Sequence, residues 1–219
     1  MNYLTSSPLV YQDWNIEKSK KNTDLDNEYY LSKKVFSKND ICVYKNIICR
    51  SIYNLMIDFK KDICWKFDYL HDKNLILDKD TDEISLFSAD VSKNFFFTNL
   101  FYHIILPQID IKDKENIKID DLFITGQLHG LSSLFHKDFR SSKKYGPTVY
   151  ILLNNNWKSY YDGNLCFLLD PNRNTVVHIE NTGNKVIVFP PDMYHRFSEV
   201  SGYGLIENAM NIVCLLYTS

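Results

Sequence analysis

The spacing of apolar residues along this chain changes character near residue 122. Upstream, Ile41, Tyr44, Ile48, Ile52, Leu55, Met56 and Phe59 recur at intervals of three and four, the repeat of one helix face. A helix is therefore expected to start at Ser37-Lys38-Asn39-Asp40. A second is expected to open at Ser92 as N-cap, with Phe95, Phe96, Leu100, Ile104 and Ile105 on one stripe and Pro107 ending it. Both stripes read as packing surfaces. Downstream the period becomes alternating, with strand-like runs near 122–126, 133–138, 147–153, 164–169, 174–180, 185–189, 194–200 and 209–217. Short runs separated by Gly, Asn and Pro turns suit a jelly roll. The expected organisation is a single domain over 1–219, mainly β with N-terminal helices. Within it, 1–30 is an irregular polar leader, 37–110 a helical support region and 120–217 the jelly-roll core. The charged stretches 78–83 and 111–121 read as a surface loop and a bridge into the strands.

Composition narrows the classes. With 219 residues, 45% hydrophobic and 24% charged, the chain is an ordinary globular sequence long enough for one sizeable core. A formal net charge of -2 gives no electrostatic case for nucleic acid as the main partner. No apolar run is long enough for a transmembrane helix, and the first residues lack the charged start and apolar core of a secretory signal. The five cysteines, odd in number and mostly set in apolar runs, fit free thiols in a reducing compartment better than a disulfide framework. A cytoplasmic protein without a membrane partner is expected.

Chemistry concentrates in Phe135-His136-Lys137-Asp138-Phe139 and, far downstream, Pro190-Pro191-Asp192-Met193-Tyr194-His195-Arg196. Residues i and i+2 of an extended segment face the same way, so His136 and Asp138 can aim an imidazole and a carboxylate at one point while Lys137 faces away. His195 can supply a third donor from another strand. Two His and one carboxylate on one side of a metal leave the opposite positions open, the donor set of non-haem Fe(II) oxygenases. His-x-Asp alone is a weak pattern, so its surroundings matter. Gly126-Gln127-Leu128-His129-Gly130 precedes it, the apolar run Thr148-Val149-Tyr150-Ile151-Leu152-Leu153 follows, and Gly183-Asn184-Lys185-Val186-Ile187-Val188-Phe189-Pro190 leads into His195.

In this order the segments resemble the prolyl-4-hydroxylase-like branch of the Fe(II)/2-oxoglutarate dioxygenases, including its phage and viral members. The resemblance covers roughly residues 120 to 217. It is carried by His136-Lys137-Asp138, by Asp162-Gly163-Asn164-Leu165 where the family often has Gly-Gly-Glu-Leu, and by the run from Val186 to His195. It implies a double-stranded β-helix packed against helices, with Fe(II) held by His136, Asp138 and His195 at one mouth. It further implies 2-oxoglutarate and O2 as co-reactants, with ascorbate as a candidate reductant. The implied reaction is decarboxylation to succinate and CO2 coupled to hydroxylation of a peptide or small-molecule substrate, a prolyl peptide or amino acid being favoured. Asp138 stands where halogenating relatives carry Gly or Ala, which favours hydroxylation.

One departure concerns the cosubstrate. The family usually carries Arg or Lys on its last strand, with Ser or Thr two residues later, to grip the distal carboxylate of 2-oxoglutarate. Here Asn211 and Val213 fall at those places. Asn offers hydrogen bonds without the charge-assisted grip of Arg, so weaker binding or another anchor is expected. Among the arginines, Arg196 should point away from the metal face, while Arg140 keeps inward parity if the strand continues beyond Asp138. Tyr150 can hydrogen-bond a carboxylate from inside the barrel. His129 is a competing ligand close in sequence; His178 reads as a strand-surface residue, and His71 and His103 as structural.

Two further readings stay open on the residues alone. A jelly-roll binding or structural protein could hold the metal without turnover, which Asn211 favours. A cupin-like metalloenzyme could use the same donors without 2-oxoglutarate. The insert 154–163 could contact a substrate or cap the barrel through Trp157, and the loop from Arg140 to Gly146 is the natural lid.

Overall fold

The computed structural model describes residues 9–10, 33–38, 40–59, 62–70, 84–130, 133–138, 145–170, 172, 175–202 and 209–218. Twelve strands are seen among them: β1 (Leu9–Val10), β2 (Lys33–Lys38), β3 (Ile41–Lys45), β4 (Lys66–Leu70), β5 (Ile84–Asp90), β6 (Ile117–Gln127), β7 (Tyr145–Leu152), β8 (Leu165–Asp170), β9 (Thr175–Ile179), β10 (Lys185–Phe189), β11 (His195–Phe197) and β12 (Ala209–Thr218). They form a major sheet ordered β2-β3-β10-β7-β12-β6-β5-β4 and a minor sheet ordered β1-β9-β8-β11.

The central strands of the major sheet are apolar on both faces because both are covered. On β7, Tyr150 and Leu152 face the minor sheet and share a buried cluster with Phe167, Val177 and Ile179. Val149 and Ile151 face the other way and pack with Met56, Phe101 and Ile105 from the helical layer. All five residues of β10 are buried, which is why it reads as a continuous apolar run after Lys185. The result is two sheets face to face with helices on the outer side of the larger one, a jelly roll backed by helices.

The support region differs from the expected helical one. Ile41–Lys45 is a strand, and the first helix, α1 (Arg50–Phe59), begins only after it. Lys38 pairs with Ile41, and Asp40 between them has φ 62°, so the expected helix start is a tight hairpin turn. Asn and Asp tolerate left-handed backbone as readily as they cap helices, and the two uses look alike in sequence. The three-residue spacing of Ile41 and Tyr44 is a coincidence of facing. Ile41 belongs to the cluster between the sheets and Tyr44 to the cluster under the helices. With β2–β5 all joining the major sheet, 37–110 is a mixed region.

The second helix, α2 (Phe95–Asn99), is capped by Asn94, whose Oδ1 accepts from the Phe96 N–H at 3.0 Å; Ser92 instead donates its N–H to Asp90 at 2.8 Å. The coil widens into a π turn over Leu100–Ile105 and tightens to a 3-10 turn containing Pro107, whose missing N–H ends the ladder. The buried face is Phe97, Leu100, Phe101 and Ile105, and Phe95 is 82% exposed.

Of the eight expected core strands, seven form. The segment 133–138 is the exception: among its residues only His136 makes a bridge. β6 starts at Ile117, so the charged stretch 111–121 is half strand. Within 1–30 the described residues are Leu9–Val10, paired in parallel with β9. The loop 78–83 lies outside the described residues, as do residues 140–144 of the expected lid, whose last two residues, Tyr145 and Gly146, open β7.

Candidate metal centre

His136 and His195 exchange both backbone hydrogen bonds, each N–H donating to the other's carbonyl at 3.0 Å. Two residues on, the Asp138 N–H donates to the Pro191 carbonyl at 3.1 Å. This short ladder fixes the register that the i, i+2 spacing needs. Alternation holds on the other side too: Lys137 lies 4.4 Å from the Tyr194 ring centroid and Arg196 lies 4.7 Å from that of Phe135. Arg196 thus turns away from the metal face, as its parity demands.

Donor atoms of His136, Asp138 and His195 all lie within 4.8 Å of one another, and the two imidazole centroids are 4.4 Å apart. Second partners set both tautomers. His136 Nδ1 stands 2.9 Å from the Leu134 carbonyl, and His195 Nδ1 stands 3.0 Å from that of Met193. A carbonyl only accepts, so each Nδ1 carries the proton and each Nε2 keeps its lone pair, the arrangement that prepares a histidine for a metal. Burial pushes His195 down to about 4, against the opposing pull of Asp138, so its ring is neutral near pH 7. The Thr148 hydroxyl donates to Asp138 Oδ2 at 2.8 Å, and that oxygen lies 3.6 Å from His195 Nε2. These residues fit a divalent metal: two imidazoles and one carboxylate converge from one side, each held by a second group.

Tyr150 also enters the site. Its ring stacks on Phe189 at 5.4 Å, and its hydroxyl is 3.2 Å from His195 Nε2. Since that nitrogen is unprotonated, the phenol donates. His195 is fully buried while His136 and Asp138 are partly exposed, so the centre opens on the side of the pair.

The remaining candidates separate. Asn211 lies in β12, in register with Thr125 and Leu152. Arg140 lies outside the described residues, as does His71. His129 bonds the Val200 carbonyl through Nδ1 at 2.8 Å and is not among the clustered donors. His178 pairs with Cys166 Sγ at 3.3 Å, and His103 lies in the π turn. Trp157 donates to the Asp162 carbonyl at 2.9 Å and packs with Val200 and Tyr161. Thr148 was not singled out from sequence; the available signal was a hydroxyl of the same parity as Tyr150.

No protein-family profile and no curated protein matches the chain. Solved structures do. One is a prolyl hydroxylase from Trichoplax adhaerens in complex with a hypoxia inducible factor oxygen degradation domain peptide fragment (17% identity, TM-score 0.59, covering 82% of this chain and 84% of that one). Another is a 2OG-Fe(II) oxygenase family oxidoreductase from Burkholderia pseudomallei (11%, TM-score 0.62, 81% and 85%). A third is HygX from Streptomyces hygroscopicus with nickel, 2-oxoglutarate and hygromycin B bound (9%, TM-score 0.60, 83% and 84%). The chain has the fold of the prolyl hydroxylases and 2OG-Fe(II) oxygenases, in line with the resemblance carried by its motifs, together with a candidate His-Asp-His centre.

Proposed function

We propose that this protein is an Fe(II)- and 2-oxoglutarate-dependent oxygenase that hydroxylates a peptide or small-molecule substrate. The observation that carries the reading is the convergence of His136, Asp138 and His195, with both imidazoles held in the ligating tautomer. An iron bound there, with 2-oxoglutarate and O2, supplies the oxidising power for a C–H bond. The chain's own part is physical. Asp138 offsets the charge of the ion and is oriented by Thr148. His195 is shielded from water among Phe167, Phe189 and Tyr150, which keeps the oxidant from solvent. Tyr150 can turn its hydroxyl from His195 to a cosubstrate carboxylate. A peptide fragment and hygromycin B are bound in two of the similar structures, which supports a peptide or a small molecule as the substrate class here.

The test is anaerobic titration of the Fe(II)-loaded protein with 2-oxoglutarate, following the weak visible band of a chelated 2-oxo acid. A band that disappears in His136→Ala, with 2-oxoglutarate-dependent succinate release in air, is the expected result. Iron binding without a band would favour a metal-holding jelly roll without this turnover, the reading to which the uncharged Asn211 lends weight.

A further inference from the structure

The insert that follows β7 lines a cavity of about 220 Å³ at the far end of the barrel from the metal centre. Two strands fix that placement. Leu152 ends β7 four residues beyond Thr148, the partner of Asp138, about 13 Å at strand rise. Lys185 opens β10 four residues before Phe189, whose ring centroid lies 4.8 Å from that of His195. Asn154 and Asn184, which lie past those ends, both line the cavity.

The walls are held as a frame. The Gly183 N–H donates to the Asn154 carbonyl at 2.9 Å, and the Asn46 N–H to the Asn184 carbonyl at 3.2 Å. The Tyr53 hydroxyl of α1 donates to the Leu152 carbonyl at 3.2 Å. A Cβ at Gly183 would collide with the Tyr53 hydroxyl and the Asn154 backbone, so only glycine lets the turn before β10 close on α1 and the insert. The cavity is therefore pre-formed, and binding there costs little ordering of the chain.

Its chemistry is that of side-chain amides. Asn46, Asn54, Asn154, Asn155, Asn156 and Asn184 line it, with the Thr182 hydroxyl. Asn46, Asn156 and Asn184 have positive φ (55°, 59° and 54°), and the turns account for asparagine there. No backbone conformation calls for it at Asn54 or Asn155. Both are exposed, and Asn54 stands inside α1, where asparagine is a poor helix former. Each amide offers two donors and an acceptor, which suits hydroxyls that both give and take a hydrogen bond.

Charge and size narrow the ligand. Among the lining residues Arg50 alone is charged and none is acidic, which disfavours a cation. Asn184 tells against an anion. Its Nδ2 donates to the Ile48 carbonyl at 2.9 Å, and its buried Oδ1 has no hydrogen-bond partner among the described residues. That oxygen needs a donor, which a sugar hydroxyl supplies and a carboxylate does not. The volume falls below the roughly 300–1,000 Å³ of pockets for drug-sized ligands and leaves room for a single ring.

We propose that this cavity binds an uncharged monosaccharide, at a site separate from the metal centre. Such a site does not depend on the oxygenase activity, and either can fail alone.

The experiment titrates glucose, galactose, mannose and N-acetylglucosamine into the isotope-labelled full chain, with inorganic phosphate as the anionic comparison. Two-dimensional NMR reads the backbone and asparagine side-chain amide signals. At least one sugar should bind with a dissociation constant of about a millimolar or tighter, the range for a ligand of this size. Asn54→Ala and Asn155→Ala should each weaken it roughly three- to tenfold, the loss of one neutral hydrogen bond, with circular dichroism unchanged. His136→Ala should bind the sugar as the unaltered chain does. Binding of none of the four sugars overturns the site. So does a sugar unaffected by the two asparagine variants; loss in His136→Ala would then place it at the metal centre, as a substrate. Phosphate that binds more tightly than any sugar, and is lost in Arg50→Gln, would make this an anion site instead.

Discussion

The Tyr150 hydroxyl donates a 3.2 Å hydrogen bond to His195 Nε2, the nitrogen that also faces Asp138 at 3.6 Å. A metal and the phenol therefore compete for one lone pair. In the metal-free protein, Tyr150→Phe leaves a buried acceptor without its donor, a loss of about 1–3 kcal/mol. In the loaded protein the ion takes that lone pair and the loss should shrink. Thermal unfolding of both proteins with and without metal checks this; an equal loss in both states would mean that Tyr150 does not meet the ligating nitrogen.

His136→Ala and Asp138→Ala should each abolish stoichiometric Fe(II) binding while the fold survives. Neither residue belongs to the apolar clusters that hold the sheets together. Equilibrium metal titration with circular dichroism is the check, and a fully loaded double mutant would defeat the three-residue centre.

Thr148→Val should lower metal affinity roughly ten- to hundredfold, the usual effect of removing the group that orients a ligand. Val keeps the shape and removes the hydroxyl that reaches Asp138 Oδ2 at 2.8 Å. Thr148→Ser, which keeps the donor, should restore most of the affinity. A Ser variant as weak as Val would assign the effect to packing.

Thiol reactivity should follow local environment. The hydrogen bond from Ser51 holds the Cys49 thiol below its ordinary range, and Cys49 is exposed. Burial pushes Cys166 up to about 11 and Cys214 well above its ordinary value. As pH rises from neutrality, Cys49 becomes thiolate before Cys166 and Cys214, so iodoacetamide should label it well before these two buried cysteines. Mass spectrometry of partly labelled native protein reads the order.

Local pattern was reliable where one physical rule governed. The i, i+2 parity of His136 and Asp138, the opposite facing of Lys137 and Arg196, and the buried run of β10 needed only strand geometry. It failed where two structures share a signature. Asp40 serves a hairpin where a helix start was expected, and Ile41 and Tyr44 match a helical spacing while lying on opposite faces of a strand. It also fell short at 133–138, where alternation is present but the described backbone is drawn into one bridge with His195.

From residue types and spacing came the three candidate metal donors and the alternating runs of the core strands, while the weight placed on Asn211 came from the family resemblance. These are one-dimensional facts: parity, periodicity and chemical identity travel with the chain. Register belongs to the tertiary structure. Which hydroxyl meets Asp138, and that His195 comes to face His136, depend on segments that only the folded chain brings together. A shift of one residue in any of those pairings would turn the same side chains to the other face.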